Sequence, residues 1–281
     1  MTRNALITLL LFLTYTVGYA QDSEIVERSL DLKSFRAIDI GFCFDVEVSL
    51  GSPQTVEVTY ESELSDKVEF YVSNGTFVAK IKNDNWLKQG FFGSKSEKVD
   101  TKPTIKITMS ELKSIDASGA SSIKVLDKID RDKLSVDASG SSSVVLSLAV
   151  NNLSLDASGA SQVKLEGLAE STSLDVSGSS RVTMNIDSKT VAADVSGGSL
   201  LGLTGKCNII SIDCSGGSSI NADNYKCKDL SISASGAART SISASNDVSA
   251  EASGASSVRI SGSPSGKISK SSSGASSISI N

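Results

Sequence analysis

Nine Ser-Gly steps divide the C-terminal part of the chain at nearly equal intervals. Their glycines stand at 119, 140, 159, 178, 197, 216, 236, 254 and 274, spaced by 21, 19, 19, 19, 19, 20, 18 and 20 residues. A fixed period of this size marks a solenoid, in which each repeat buries its apolar face only against its neighbours.

The apolar places decide which solenoid. The fourth place after the glycine holds Ile123, Val144, Val163, Val182, Leu201, Ile220, Thr240, Val258 and Ile278. The sixth runs from Val125 and Leu146 to Ile280. Before the glycine, the fourth place is mostly Ile, Val, Leu or Ala and the second mostly Ala. Period two on both flanks is a strand signal and not a helical one. A leucine-rich repeat would need its own Leu and Asn pattern, which is missing. Each copy therefore reads as strand, tight glycine corner, strand and short return. Crossovers between parallel strands are right-handed in nearly all cases. The fold class is all-β: a right-handed parallel β-helix of about nine coils. At ~4.8 Å per coil the rod is roughly 43 Å long.

The plain Ser/Gly/Ala composition follows from this geometry. Gly140 permits positive φ at the corner, and Ala138 is small because the corner is narrow. Ser139 and Ser142 are expected to bond the corner backbone and to stack into hydroxyl ladders.

The front of the chain departs from the repeat. Residues 35–49, "FRAIDIGFCFDVEVS", fit the template with bulk at the corner, Asp39 matching Asp116. "TVEVTYE" and "TIKITMS" read as strands, and "VEFYVSNGTFVAKI" as a hairpin about Asn74-Gly75. After residue 20, ten of eleven aromatic residues lie between Phe35 and Phe92. The segment 83–98 reads as a long loop carrying Trp86, Phe91 and Phe92, and long loops tend to carry function.

The first residues read as an export signal. Arg3, an apolar run from Ala5 to Val17, and Gly18-Tyr19-Ala20 predict a signal peptide over 1–20, cut after Ala20. The run is too short for a membrane span of ~20 residues. Residues 21–110 and 111–281 are expected to form one continuous domain. The formal charge of −5, with no basic cluster, argues against nucleic acid and anionic membrane as partners. The absence of histidine excludes a Ser-His-Asp triad, a Cys-His pair and His-ligated zinc. Catalysis by carboxylates, Lys, Arg or Tyr stays open.

"FRAIDIGFCFDVEVSLGSPQTVEVTYESEL", then "IKITMSELKSIDASGASSIKV" and further D-A-S-G-A-S coils, resemble the putative auto-transporter adhesin, head GIN domain family. The resemblance covers nearly the whole chain after residue 20. It implies an exported β-helical envelope protein of Gram-negative bacteria and carries over no catalytic residues. No barrel pattern follows the repeats, so the chain is not read as a complete auto-transporter.

Four groups of residues compete for a role. Asp116, Asp137, Asp156, Asp175, Asp194 and Asp213 recur three places before the glycine and should stack one coil apart. They could hold calcium, or each could bond its own corner. Paired carboxylates also leave open a carbohydrate-active hydrolase or lyase, although corners of two or three residues build no cleft. An ice-binding face is disfavoured because Ser, not Thr, dominates. Trp86, Phe91 and Phe92 could stack on a glycan or dock an envelope protein, or lid one end of the solenoid. Cys207 and Cys227 share a place in consecutive coils and are the disulfide candidates, whereas Cys43 and Cys214 should be free thiols. The last coil, "SSISIN", offers an uncovered edge for an end-to-end homo-oligomer. Together these predict a non-catalytic envelope adhesin or interaction module needing no cofactor.

Overall fold

The computed structural model describes residues 24–82 and 102–281. Five strands of 15–17 residues wrap the rod and are followed by one of 16: β9 (Ser122–Ala138), β10 (Ser143–Ala157), β11 (Gln162–Val176), β12 (Arg181–Val195), β13 (Leu200–Cys214) and β14 (Ser219–Ala234). Each pairs in parallel with the next. The expected short return is therefore not a loop but strand, because the alternation continues through it: Leu148 and Val150 are buried while Ser147 and Asn151 are exposed. Shorter strands complete the rod: β15 (Arg239–Ala244), β16 (Val248–Ala252), β17 (Ser257–Ser261), β18 (Ile268–Ser272) and β19 (Ser277–Ile280). The chain is a parallel β-helix with a single continuous core.

The corners explain the repeat unit. All nine repeat glycines lie between φ 67° and 73°, the left-handed region that other residues avoid. They also stack backbone on backbone. A Cβ on Gly178 would lie 2.6 Å from the carbonyl oxygen of Gly159. The serine two places after the glycine turns inward. Ser180 donates to the carbonyls of Ser177 in its own coil and Ala157 in the coil before (2.9 Å for the latter). Ser199 and Ser256 repeat this arrangement. The expected hydroxyl ladder is corrected here: these O–H groups donate to carbonyls and so staple adjacent coils, because the corner carbonyls point at them. Ser142 occupies the same slot with its hydroxyl buried and unpartnered.

The front half-coil continues the rod and then closes it. β2 (Ala37–Ile40) pairs with β8 (Ser114–Ala117), and β3 (Asp45–Leu50) pairs with β9, so Asp39 stands beside Asp116. The Asn74-Gly75 turn, φ 51° and 76°, joins β5 (Val68–Ser73) to β6 (Thr76–Ile81), and β6 lies along the outer side of β2. On the adjoining face, β7 (Thr104–Met109) covers β3, β4 (Thr55–Glu61) runs antiparallel to β7, and β1 (Ile25–Ser29) to β4. The aromatic residues of the front fill this end. Phe35 stacks on Phe77 with centroids 5.3 Å apart, and Phe44 meets Phe70 at 5.7 Å. A solenoid end has no neighbouring repeat to bury its core, and large rings supply the missing cover.

The opposite end presents an open strand edge. β18 and β19 each pair on one side only, with β16 and β17. The inward column Ile232–Ala250 continues to Lys270, and Ala234–Ala252 continues to Ser272. A charge on the inward face of an edge strand is a device that discourages further pairing. Ile268 remains 46% exposed there.

Candidate functional site: an acidic column and a trench

The six aspartates do stack. Register pairs Asp116 with Asp137, then Asp156, Asp175, Asp194 and Asp213, and Asp39 adds a seventh at the head of the column. The column ends at Ser233. Burial pushes the Asp116 carboxyl above its ordinary value of 3.8, and the neighbouring charges of Asp39 and Asp137 push it further. Burial, then Asp156 and Asp194, do the same for Asp175. Among the described residues no three or more acidic or thiol side chains gather so as to hold a metal ion. A straight column offers ligands from one side only, whereas calcium takes six to eight around it. The expected bonding of each Asp to its own corner is represented by one contact, Ser135 Oγ donating to Asp137 Oδ2 at 3.4 Å.

Like charges one coil apart repel by ~0.9 kcal/mol in water. Asp175→Asn removes two such contacts and is expected to stabilise the protein at pH 7 by roughly 0.5–1 kcal/mol after solvent screening. The sign follows from the raised folded-state values. The folded protein holds these protons more tightly than the unfolded chain, so native stability rises as pH falls from neutral toward the ordinary carboxylate range. Calorimetry on the native and Asp175→Asn proteins should show their melting temperatures converging as pH falls. A destabilised variant would mean that the charge is held by a bound cation.

The trench was not foreseen. It opens along the return side of the rod, spans coils from Asp130 to Ser263, and encloses about 1090 Å³. Its floor is a row of small residues, among them Ala169, Ser188, Cys207, Cys227 and Ala244. The strands bend into it at glycines. Gly167 (φ 140°) and Gly205 (φ 124°) pass so close to the coil beneath that a Cβ would lie 1.8 Å from Leu148 O and 2.5 Å from Ile186 O. Cys207 and Cys227 are partners in register, with Cα atoms 4.5 Å apart, and are joined as a disulfide in the floor. Behind them, Tyr225 is buried and hydrogen-bonded to Ser188, and burial pushes its phenol up to about 12. Cys214 takes the inward place of Val195 and Ala234 as a buried free thiol against Thr240 Oγ1 at 3.3 Å. Cys43 is free and half-buried; burial lifts its thiol to about 11. Trp86, Phe91 and Phe92 lie outside the described residues. The sequence signal for the trench was present: glycines eight places after the corner at 167 and 205, followed by small residues two places on.

The family model described as putative auto-transporter adhesin, head GIN domain, matches residues 34–185 and again 169–264. The chain belongs to this family. Solved structures share the fold. A putative adhesin from Parabacteroides distasonis superposes with a TM-score of 0.67 at 17% identity, covering 92% of this chain and 98% of that one. A putative adhesin from Parabacteroides merdae gives 0.60 at 17% identity, covering 92% and 96%. A putative lipid binding protein from Parabacteroides distasonis gives 0.57 at 17%, also covering 92% and 96%. No curated protein matches the chain.

Proposed function

We propose that this GIN-domain chain is an exported, non-catalytic cell-envelope rod that acts as an adhesin or interaction module, with a glycan or envelope protein as its ligand. The observation that carries the reading is the shape of the described surface. Long strands joined by tight corners give wide, repetitive faces and a long open trench, a form suited to extended contact. The family membership supports the same reading. The competing hydrolase or lyase would draw on adjacent carboxylates of the Asp column. Those carboxylates sit on a straight strand face, and among the described residues no loop rises beside them to hold a sugar ring for attack.

Binding of the purified protein to glycan and envelope-protein arrays tests the proposal, with Trp86→Ala and Asp156→Asn as companions. Saturable binding without product formation supports it. Turnover of a glycan that Asp156→Asn abolishes would replace it with the enzyme reading.

End-to-end association through the last coil belongs to this proposal, held weak by Lys270. Lys270→Ile restores the apolar inward column and is expected to convert a weak association into a stable dimer. Sedimentation velocity reads the difference, and an unchanged monomer in the variant would remove the end as a contact.

A further inference from the structure

The walls of the trench carry a charge gradient. In each coil one residue on either side of the floor faces outward. The first wall pair, Asp130 and Asp132, is −2. Ala149 and Asn151 follow at 0, then Leu168 and Glu170 at −1. Asp187 and Lys189 sum to 0, Lys206 and Asn208 to +1, and Lys226 and Lys228 to +2, beyond which the trench runs out over the uncharged Ser243 and Ser245.

The middle of this series is neutralised within the chain. Lys189 pairs with Glu170, and Lys206 Nζ lies 3.5 Å from Asp187 Oδ2. Asn151 Nδ2 donates to Asp132 at 2.9 Å, which holds that carboxylate in place and leaves its charge. Arg131, between the two acids of the first pair, is turned away onto Glu111 (2.8 Å) and the Leu112 carbonyl (2.6 Å). The ends remain. Among the described residues Asp130 has no ion pair at one end of the charged series, and Lys226 and Lys228 have none at the other. They are five coils apart, roughly 24 Å, well beyond the ~8 Å screening length at physiological salt. Each end therefore presents its charge independently.

We propose that the trench is a self-association surface: two copies lie antiparallel, trench to trench, about a two-fold axis crossing the rods. In that arrangement Asp130 of one copy meets Lys226 of the other and Asp132 meets Lys228. Asn151 meets Asn208 and Glu170 meets Lys189. Each contact occurs twice, as a two-fold interface requires, and no like charges meet. A parallel pairing would set acid on acid and Lys on Lys. The partner is a second copy of this chain because the fit needs the same gradient reversed at the same coil spacing, which the chain itself supplies.

The cross-pairs are between exposed charges, which contribute little each and are screened by salt, so the dimer is expected to be weak and salt-sensitive. Its consequence for adhesion rests on the interaction-module reading. Rods carried on facing surfaces meet antiparallel, and many weak pairs act together. The dimer itself does not depend on that reading.

A charge swap tests it on the full protein. Sedimentation equilibrium of the native protein should show association that weakens about tenfold or more between ~50 and ~300 mM salt. Lys226→Glu with Lys228→Glu, and separately Asp130→Lys with Asp132→Lys, should each lose association by about tenfold or more. An equimolar mixture of the two variants should recover it, because every contact is then complementary again. Association in either variant at the native level, or a mixture no stronger than its components, overturns the proposal. So does a native protein that stays monomeric at low salt. Array binding that persists in both variants leaves the adhesion reading standing while the dimer falls.

Discussion

Gly178→Ala is expected to cost roughly 3–5 kcal/mol, more than any exposed substitution should. Two effects add. At φ 71° an alanine pays about 1–2 kcal/mol for the left-handed conformation. Its Cβ would also stand 2.6 Å from Gly159 O and 2.9 Å from Gly159 N, and neither atom can move without opening the ladder bond from Ser179 N to Gly159 O, 2.7 Å long. Gly75→Ala separates the two effects. That residue has φ 76° but nothing within 4 Å of its missing Cβ, so only the conformational part, about 1–2 kcal/mol, should appear. Denaturant unfolding of both variants checks the contrast. Equal losses would show that the stacking of the corners costs nothing to disturb.

Removing the bridge by Cys207→Ala with Cys227→Ala should cost about 3 kcal/mol in the chain-entropy account of a loop of this length. Reductant should lower the native protein's unfolding midpoint and leave the double variant unchanged. Titration of the unfolded, unreduced native protein should find two reactive thiols, Cys43 and Cys214. Four thiols, or a midpoint indifferent to reductant, would mean that the pair is only packed together.

The solenoid was legible because its constraints are local and repeated. Positive φ selects glycine and one-sided burial selects alternation, so each coil states the rule again. The hairpin was legible from Asn74-Gly75 for the same reason. What escaped was relational. The short return proves to be strand, because Leu148 and Val150 keep the alternation between the exposed Ser147 and Asn151. The trench depends on Gly167 and Gly205 bending different coils at one level, which emerges only once the coils are stacked. Thr240 broke the inward column on paper; in the fold it faces Cys214, two polar atoms satisfying each other inside an apolar row. Lys270 on the inward side of the last coil was equally silent, since a lysine between serines signals nothing until its column is known. Trp86, Phe91 and Phe92 read as candidates for recognition and lie outside the described residues; the described rings of the front, Phe35, Phe44, Phe70 and Phe77, close the rod.

The stacked corners make length a free parameter of this architecture. A coil such as 160–178 touches only the coils before and after it, and both present nearly the same backbone to it. Excising or duplicating one such unit would leave every other interface as it was and shorten or extend the reach of the protein by ~4.8 Å. Evolution can thus adjust how far a rod of this kind projects in small, nearly equal increments, without redesigning a core.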